Sequence, residues 1–195
     1  MGTIYYNSDV AQVCSKNGII KAILINYVYN YHKPNIRKGP GHPANISLRE
    51  FVYQYTHEDQ SLWKRSFIHR ILKDLIKDGF LIKTEENRMP VYSVSDQIRC
   101  LLNDETAKTI SFDLGMACEH GIYVAIMRRY LLHLIDKNPK GEAYNLKVTD
   151  MAEVNRISPA EIYRSINCLV AGQVLRKIKS PLKSHSRALS LARCE

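Results

Sequence analysis

The sequence predicts a mainly α-helical chain with small β-ribbons, α+β in class, built as two copies of one module in tandem. Three observations carry this. In WKRSFIHRILKDLIKDGFLI (63–82), Ile68, Ile71, Leu72, Leu75 and Ile76 fall at i, i+3, i+4, i+7 and i+8, one apolar stripe of a helix. The runs VYSVS (91–95) and ALSLA (188–192) alternate as half-buried strands do. Finally, DVAQVCSKNGIIKAILINY (9–27) is echoed by DLGMACEHGIYVAIMRRY (113–130). With one residue deleted, Asp9, Cys14, Gly18, Ile19, Ala22, Ile23 and Tyr27 match Asp113, Cys118, Gly121, Ile122, Ala125, Ile126 and Tyr130.

The echo continues at nearly the same offset. ISLREFV (46–52) answers to LKVTDMA (146–152), and IHRILKDLIKDGFL (68–81) to IYRSINCLVAGQVL (162–175). Each module therefore reads helix, loop, short helix, turn, longer helix, strand, turn, strand. The first spans 1–95, a linker helix 96–110 follows, and the second spans 111–195. Asp9 and Asp113 each precede a helix and are placed as caps. Ser47-Leu48-Arg49-Glu50 and Ser158-Pro159-Ala160-Glu161 are capping boxes, with Pro159 at the first helical position and Ile157 and Ile162 as a hydrophobic staple. Gly79 suits the left-handed residue that closes a helix. LIKTEENRMPVYSVS (81–95) and VLRKIKSPLKSHSRALSLA (174–192) are two-stranded ribbons, with Pro90 and Pro181 near tips or edges where no ladder donor is needed. In the linker, Ile98, Leu101 and Leu102 form an apolar face for packing between modules or against a second subunit.

A hydrophobic content of 45% is ordinary for a folded core, while a formal charge of +9 calls for a polyanionic partner or an acidic surface. No apolar run approaches the ~18 residues of a membrane span, and the start MGTIYYNSDV lacks the pattern of a signal peptide. The five cysteines form no C-x-x-C and no zinc spacing with histidines. Cys14, Cys118 and Cys168 sit among apolar residues as small core side chains, so a reducing, cytoplasmic setting and no metal or cofactor are expected.

The element order over 46–95 and 146–192 resembles the winged helix-turn-helix. The first module, from NSDVAQV through GIIKAILINYVYNYH to the helix ending KDGFLI, is also similar to the N-terminal winged-helix domain of phage and plasmid replication proteins. Tyr27-Val28-Tyr29-Asn30-Tyr31 stands where those proteins carry tyrosines or a Tyr-Trp, here without the Trp. The resemblance implies duplex-DNA binding, with the longer helix of each module in the major groove and its first residues at base edges. It assigns Lys64, Arg65, His69 and Arg70 as readers in the first copy, with Lys73 and Lys77 nearer phosphate. Trp63 is either a staple against the preceding helix or a groove-edge contact.

In the second copy the same face carries Glu161, Tyr163, Arg164, Ser165 and Asn167. It can read bases, Asn on adenine and Glu on cytosine, or pack on a partner protein. The second ribbon, with Arg176, Lys177, Lys179, Lys183, Arg187 and Arg193, is suited to a phosphate backbone or a minor groove. The stretch HKPNIRKGPGHPAN (32–45), with Arg37 and Lys38, is a flexible connector or a basic arm that orders on DNA, and no acid interrupts Lys16, Lys21, Lys33, Arg37, Lys38 and Arg49. It is not a P-loop, because the Gly-Lys-Ser/Thr that holds the phosphates is missing.

Enzyme readings find no footing: the seven histidines are scattered, and the 12 tyrosines lack clustered companions. Three classes remain. One is a sequence-specific double-stranded DNA binder acting as replication initiator, organiser or regulator of a phage, virus or plasmid, alone or as a homodimer with a replication or transcription partner. The second is a transcriptional regulator of cellular type, and the third a tandem winged-helix assembly module, which needs no such charge.

Overall fold

A computed structural model describes residues 2–30, 45–106, 108–178 and 189–194, with residues 144 and 145 described by backbone alone. The chain is a mixture of helices and small sheets, dividing into one unit of residues 5–110 and another of residues 1–4 with 111–195.

Strand β1 (Thr3–Asn7) leads into α1 (Ser8–Val13), whose cap is Asn7. The Asn7 carboxamide oxygen accepts from the N–H groups of Asp9 and Val10 at 2.9 and 3.0 Å. Asp9, expected as the cap, lies instead in the first turn, where its charge suits the positive helix end. Helix α2 (Gly18–Asn30) is buried over most of its surface, Ile23, Leu24 and Ile25 completely. Its first residue must be small: a Cβ on Gly18 would fall 2.0 Å from the Ala11 carbonyl oxygen. Lys21, read from sequence as part of a basic stretch, is buried here and paired with Asp78 at 2.8 Å.

Helix α3 (Leu48–Gln54) is capped by Ser47, which accepts the Glu50 N–H at 3.3 Å, and buries Phe51. The expected turn after it is a small hairpin, β2 (Thr56–His57) against β3 (Gln60–Ser61), with Glu58 and Asp59 left-handed at its tip. Helix α4 (Arg65–Lys77) then buries Ile68, Ile71, Leu72 and Leu75. Full burial of each is worth about 1.5–3 kcal/mol, which fixes the face α4 turns away from the core. It ends in a Schellman motif: Phe80 N–H donates to Leu75 O at 3.0 Å and Gly79 N–H to Ile76 O at 3.1 Å, with Gly79 at φ +75°. Strands β4 (Leu81–Glu86) and β5 (Met89–Val94) form a hairpin closed by left-handed Asn87 and Arg88, and Pro90 lies one residue from that turn. Helix α5 (Asp96–Asn103) groups with residues 5–110, burying Ile98 and holding the Asn7 Nδ2 donor on Leu101 O at 3.1 Å.

In the other unit, β6 (Thr109–Asp113) enters α6 (Leu114–His120), and here Asp113 does cap, accepting the Met116 N–H at 2.8 Å. Helix α7 (Ile122–Asp136) follows. The connection after it, read from sequence as a loop, contains β7 (Glu142–Leu146). Next come α8 (Val148–Asn155), α9 (Pro159–Ala171), β8 (Leu175–Lys177) and β9 (Leu189–Arg193). Because β7 joins them, the expected two-stranded ribbon is a three-stranded antiparallel sheet in the order β7-β9-β8. Helix α9 is capped by Ser158 with Pro159 at its start, and its close repeats that of α4: Val174 N–H to Leu169 O at 2.9 Å and Gln173 N–H to Val170 O at 3.1 Å. The left-handed position is Gln173 at φ +57°, where α4 has glycine.

Among the cysteines, Cys14 is buried and Cys118 half-buried, but Cys168 is exposed. Its sequence neighbours are apolar, yet its phase on α9 falls off the stripe of Ile162, Ser165, Ile166 and Leu169 that faces inward.

Candidate nucleic-acid interface

The buried stripe of α4 determines what its opposite side presents. Ser66, Arg70, Lys73 and Lys77, at i, i+4, i+7 and i+11, run along the outer ridge, with His69 on its flank and Lys64 and Arg65 at the helix start. All seven are exposed, and neither His69 nor any of the five cations enters an ion pair among the described residues. Lys64 is also the N-cap of α4, yet its side chain makes no capping bond. A cation at the positive end of a helix is unfavourable for the helix itself.

Arg70 is oriented by Phe67, one turn earlier: its guanidinium carbon is 5.1 Å from the ring centroid. A guanidinium held over a ring face by a cation–π contact keeps its N–H fork available for a bidentate acceptor. Beside it a surface hollow of about 440 Å³ is lined by Leu62, Trp63, Lys64, Ser66, Phe67 and Arg70. A smaller hollow of about 250 Å³, lined by Lys16, Asn17, Lys21, Arg70 and Asp74, shares the same arginine. Trp63 serves as a staple: its ring stacks on Phe51 at 5.9 Å and 14° and meets Tyr55 at 5.4 Å. Burial in that stack pushes the Tyr55 phenol up to about 12.

Helix α9 has the same phase and a different ridge: Ala160, Arg164, Asn167 and Ala171. Arg164 Nη1 donates to Glu161 Oε1 at 2.5 Å, so its charge is met within the helix. Asn167 Oδ1 accepts from Lys177 Nζ at 3.3 Å, which ties the ridge to the last residue of β8. Tyr163 is 43% exposed beside them, whereas Ser165, expected on this face, is buried at the core side. Glu161 is paired with Arg164, and burial first, then the Glu161 charge, raises the Tyr123 phenol.

Lys179, Lys183 and Arg187 of the second ribbon and Arg37 and Lys38 of the 32–45 stretch lie outside the described residues. Sequence reading named the arginines but missed what orients them. The signal was present: Phe67/Arg70 and Glu161/Arg164 are both i, i+3 pairs, the spacing at which helix side chains meet. No group of His, Cys, Asp and Glu among the described residues could hold a metal ion, and no helix among them is long and apolar enough to cross a membrane. No protein-family model matches the chain, and comparison with curated proteins gives no match.

Proposed function

We propose that the chain is a tandem winged helix-turn-helix protein that binds double-stranded DNA with sequence preference, acting as a replication initiator, organiser or regulator of a phage, virus or plasmid. The observation that carries the reading is the outward side of α4, where five exposed cations, Lys64, Arg65, Arg70, Lys73 and Lys77, gather with His69, Arg70 lies over Phe67, and no carboxylate is paired to any of them among the described residues. In a major groove the first two turns of α4 face base edges, and Arg70 can hold guanine O6 and N7 with parallel bonds. Lys73 and Lys77 fall toward phosphate, as do Arg176 and Lys177 at the base of the second ribbon.

Internal duplication is supported by matching burial and matching helix ends. Ile68, Ile71, Leu72, Leu75 and Leu81 occupy the core positions of Ile162, Ser165, Ile166, Leu169 and Leu175. The copies have diverged in chemistry, and the second face favours a partner protein as its own alternative use. Arg164 is neutralised there, while Tyr123, Val154 and Tyr163 are 38%, 40% and 43% exposed on the same unit.

Selection of binding sites from random duplex DNA, followed by titration at several salt concentrations, tests the reading. A preferred site should emerge, and with ~6–10 phosphates neutralised its affinity should fall ~10³–10⁵-fold between 50 and 200 mM salt. No duplex binding at low salt, or a flat salt response, removes it.

A further inference from the structure

Resting on the DNA-binding reading, we propose that the hollow bounded by Leu62, Trp63 and Phe67 is a specificity pocket for the C5-methyl of a thymine in the base step next to the guanine held by Arg70. The hollow and the arginine share one element, since Phe67 both carries the guanidinium and walls the hollow. Its apolar walls come from Leu62, Trp63 and Phe67, all half-buried, and exposed Ser66, Lys64 and Arg70 complete the lining with a polar, cationic rim. That combination suits an apolar group carried on a polyanion. The thymine methyl is the one apolar substituent the four base pairs present in the major groove, where the start of a recognition helix lies.

The walls are also stiff. Trp63 stacks on Phe51, which in turn meets the Tyr27 ring edge-on at 5.0 Å, so the pocket is backed by a buried aromatic column. Leu62 is fixed through its N–H on Tyr55 O at 2.9 Å. A flipped whole base is excluded as occupant, because an extruded base needs a closed pocket with a face above and below it. Here Lys64, Ser66 and Arg70 are exposed and the hollow opens to the surface.

The experiment keeps the protein intact and alters the DNA. In the preferred duplex, each thymine is replaced singly by deoxyuridine, which removes only the methyl, and binding of the full chain is titrated. One thymine adjacent to a required guanine should lose about three- to fivefold in affinity, the scale of one buried methyl group. Phe67→Ala should erase that difference while Arg70→Ala should keep it and lose the guanine requirement; circular dichroism of both variants reports that they fold. A preferred site with no thymine beside the guanine, a uniform response to deoxyuridine, or a deoxyuridine effect that survives in Phe67→Ala overturns the pocket and leaves DNA binding standing. Failure to bind any duplex takes down both.

Discussion

Arg70 lies over the ring of Phe67, its guanidinium carbon 5.1 Å from the centroid, while its counterpart on α9, Arg164, is held by Glu161 at 2.5 Å. One arginine is aimed and the other is satisfied. On the proposed DNA-binding reading, Arg70→Ala should weaken binding to the preferred site by about 1–3 kcal/mol and relax the base preference at one position. Arg164→Ala should cost less than about 1 kcal/mol, since the Glu161 carboxylate beside it offsets the attraction of this cation to a polyanion. Glu161→Gln should strengthen binding to all duplexes alike. Competition titrations on specific and random DNA measure all three, and a larger loss in Arg164→Ala would invert the choice of reader.

What the sequence disclosed and withheld follows from the range of the forces involved. The stripe of α4, its glycine stop and the β4–β5 hairpin rest on local periodicity and turn chemistry, and they are present as read. β7 was missed because its partner β9 lies more than 40 residues away and Glu142-Ala143-Tyr144-Asn145-Leu146 has no clean alternation. β1 and β6 were missed although Thr3-Ile4-Tyr5-Tyr6-Asn7 resembles Thr109-Ile110-Ser111-Phe112-Asp113, with Tyr6 and Phe112 both fully buried. That comparison would also have moved the first cap from Asp9 to Asn7. At the candidate site, charge and spacing identified the cations, but which of them are spent on neighbours, as Lys21 is on Asp78, is a tertiary fact.

The two helix ends offer a matched test of backbone strain. Gly79 and Gln173 both occupy the left-handed position of a Schellman close, at φ +75° and +57°. Nothing lies within 4 Å of a Cβ added at Gly79, so Gly79→Ala should lose about 1 kcal/mol through conformation alone. Gln173→Gly should gain a similar amount, read as opposite shifts in the denaturant midpoint at unchanged slope. A neutral Gly79→Ala would mean that α4 does not depend on this close.

Lys21 is 7% exposed in its side chain and Asp78 is 40% exposed, so the members of this pair are not equivalent. Removing the carboxylate strands a buried ammonium, a loss of about 3 kcal/mol at full burial that the solvent around Asp78 reduces to about 2 kcal/mol for Asp78→Ala. Lys21→Met leaves Asp78 with access to water and should stay within about 1 kcal/mol of the parent. Equal losses in the two variants, measured by urea unfolding, would contradict this asymmetry.

Cys14 is buried beside that pair, and its thiol is pushed from the usual 9.0 up to about 12, first by burial, with Lys21 acting against it and Asp78 with it. The folded state therefore keeps a proton that the unfolded chain releases, and the contribution is fully present below pH 9 and lost as pH rises toward 12. Cys14→Ala should flatten part of the alkaline fall in melting temperature. At pH 8 an alkylating reagent should label exposed Cys100 and Cys168 in the native chain and spare Cys14.

On the proposed reading, Lys64 sets stability against binding. It occupies the N-cap of α4 with extended backbone and no capping bond, where Ser158 of α9 accepts the Glu161 N–H at 3.3 Å. Serine at a helix N-cap is worth about 1 kcal/mol over a residue that cannot accept, and removing a cation from the positive helix end adds a few tenths more. Lys64→Ser should thus raise the unfolding midpoint. On the proposed DNA-binding reading the same substitution deletes one cation from the helix start assigned to the groove, so affinity for all duplexes should fall and the salt slope should shrink by roughly one. The reverse exchange, Ser158→Lys, removes an existing cap and should cost about 1 kcal/mol. If Lys64→Ser gains stability and leaves the salt slope unchanged, Lys64 is a poor cap without a phosphate contact, and the ridge begins at Arg65.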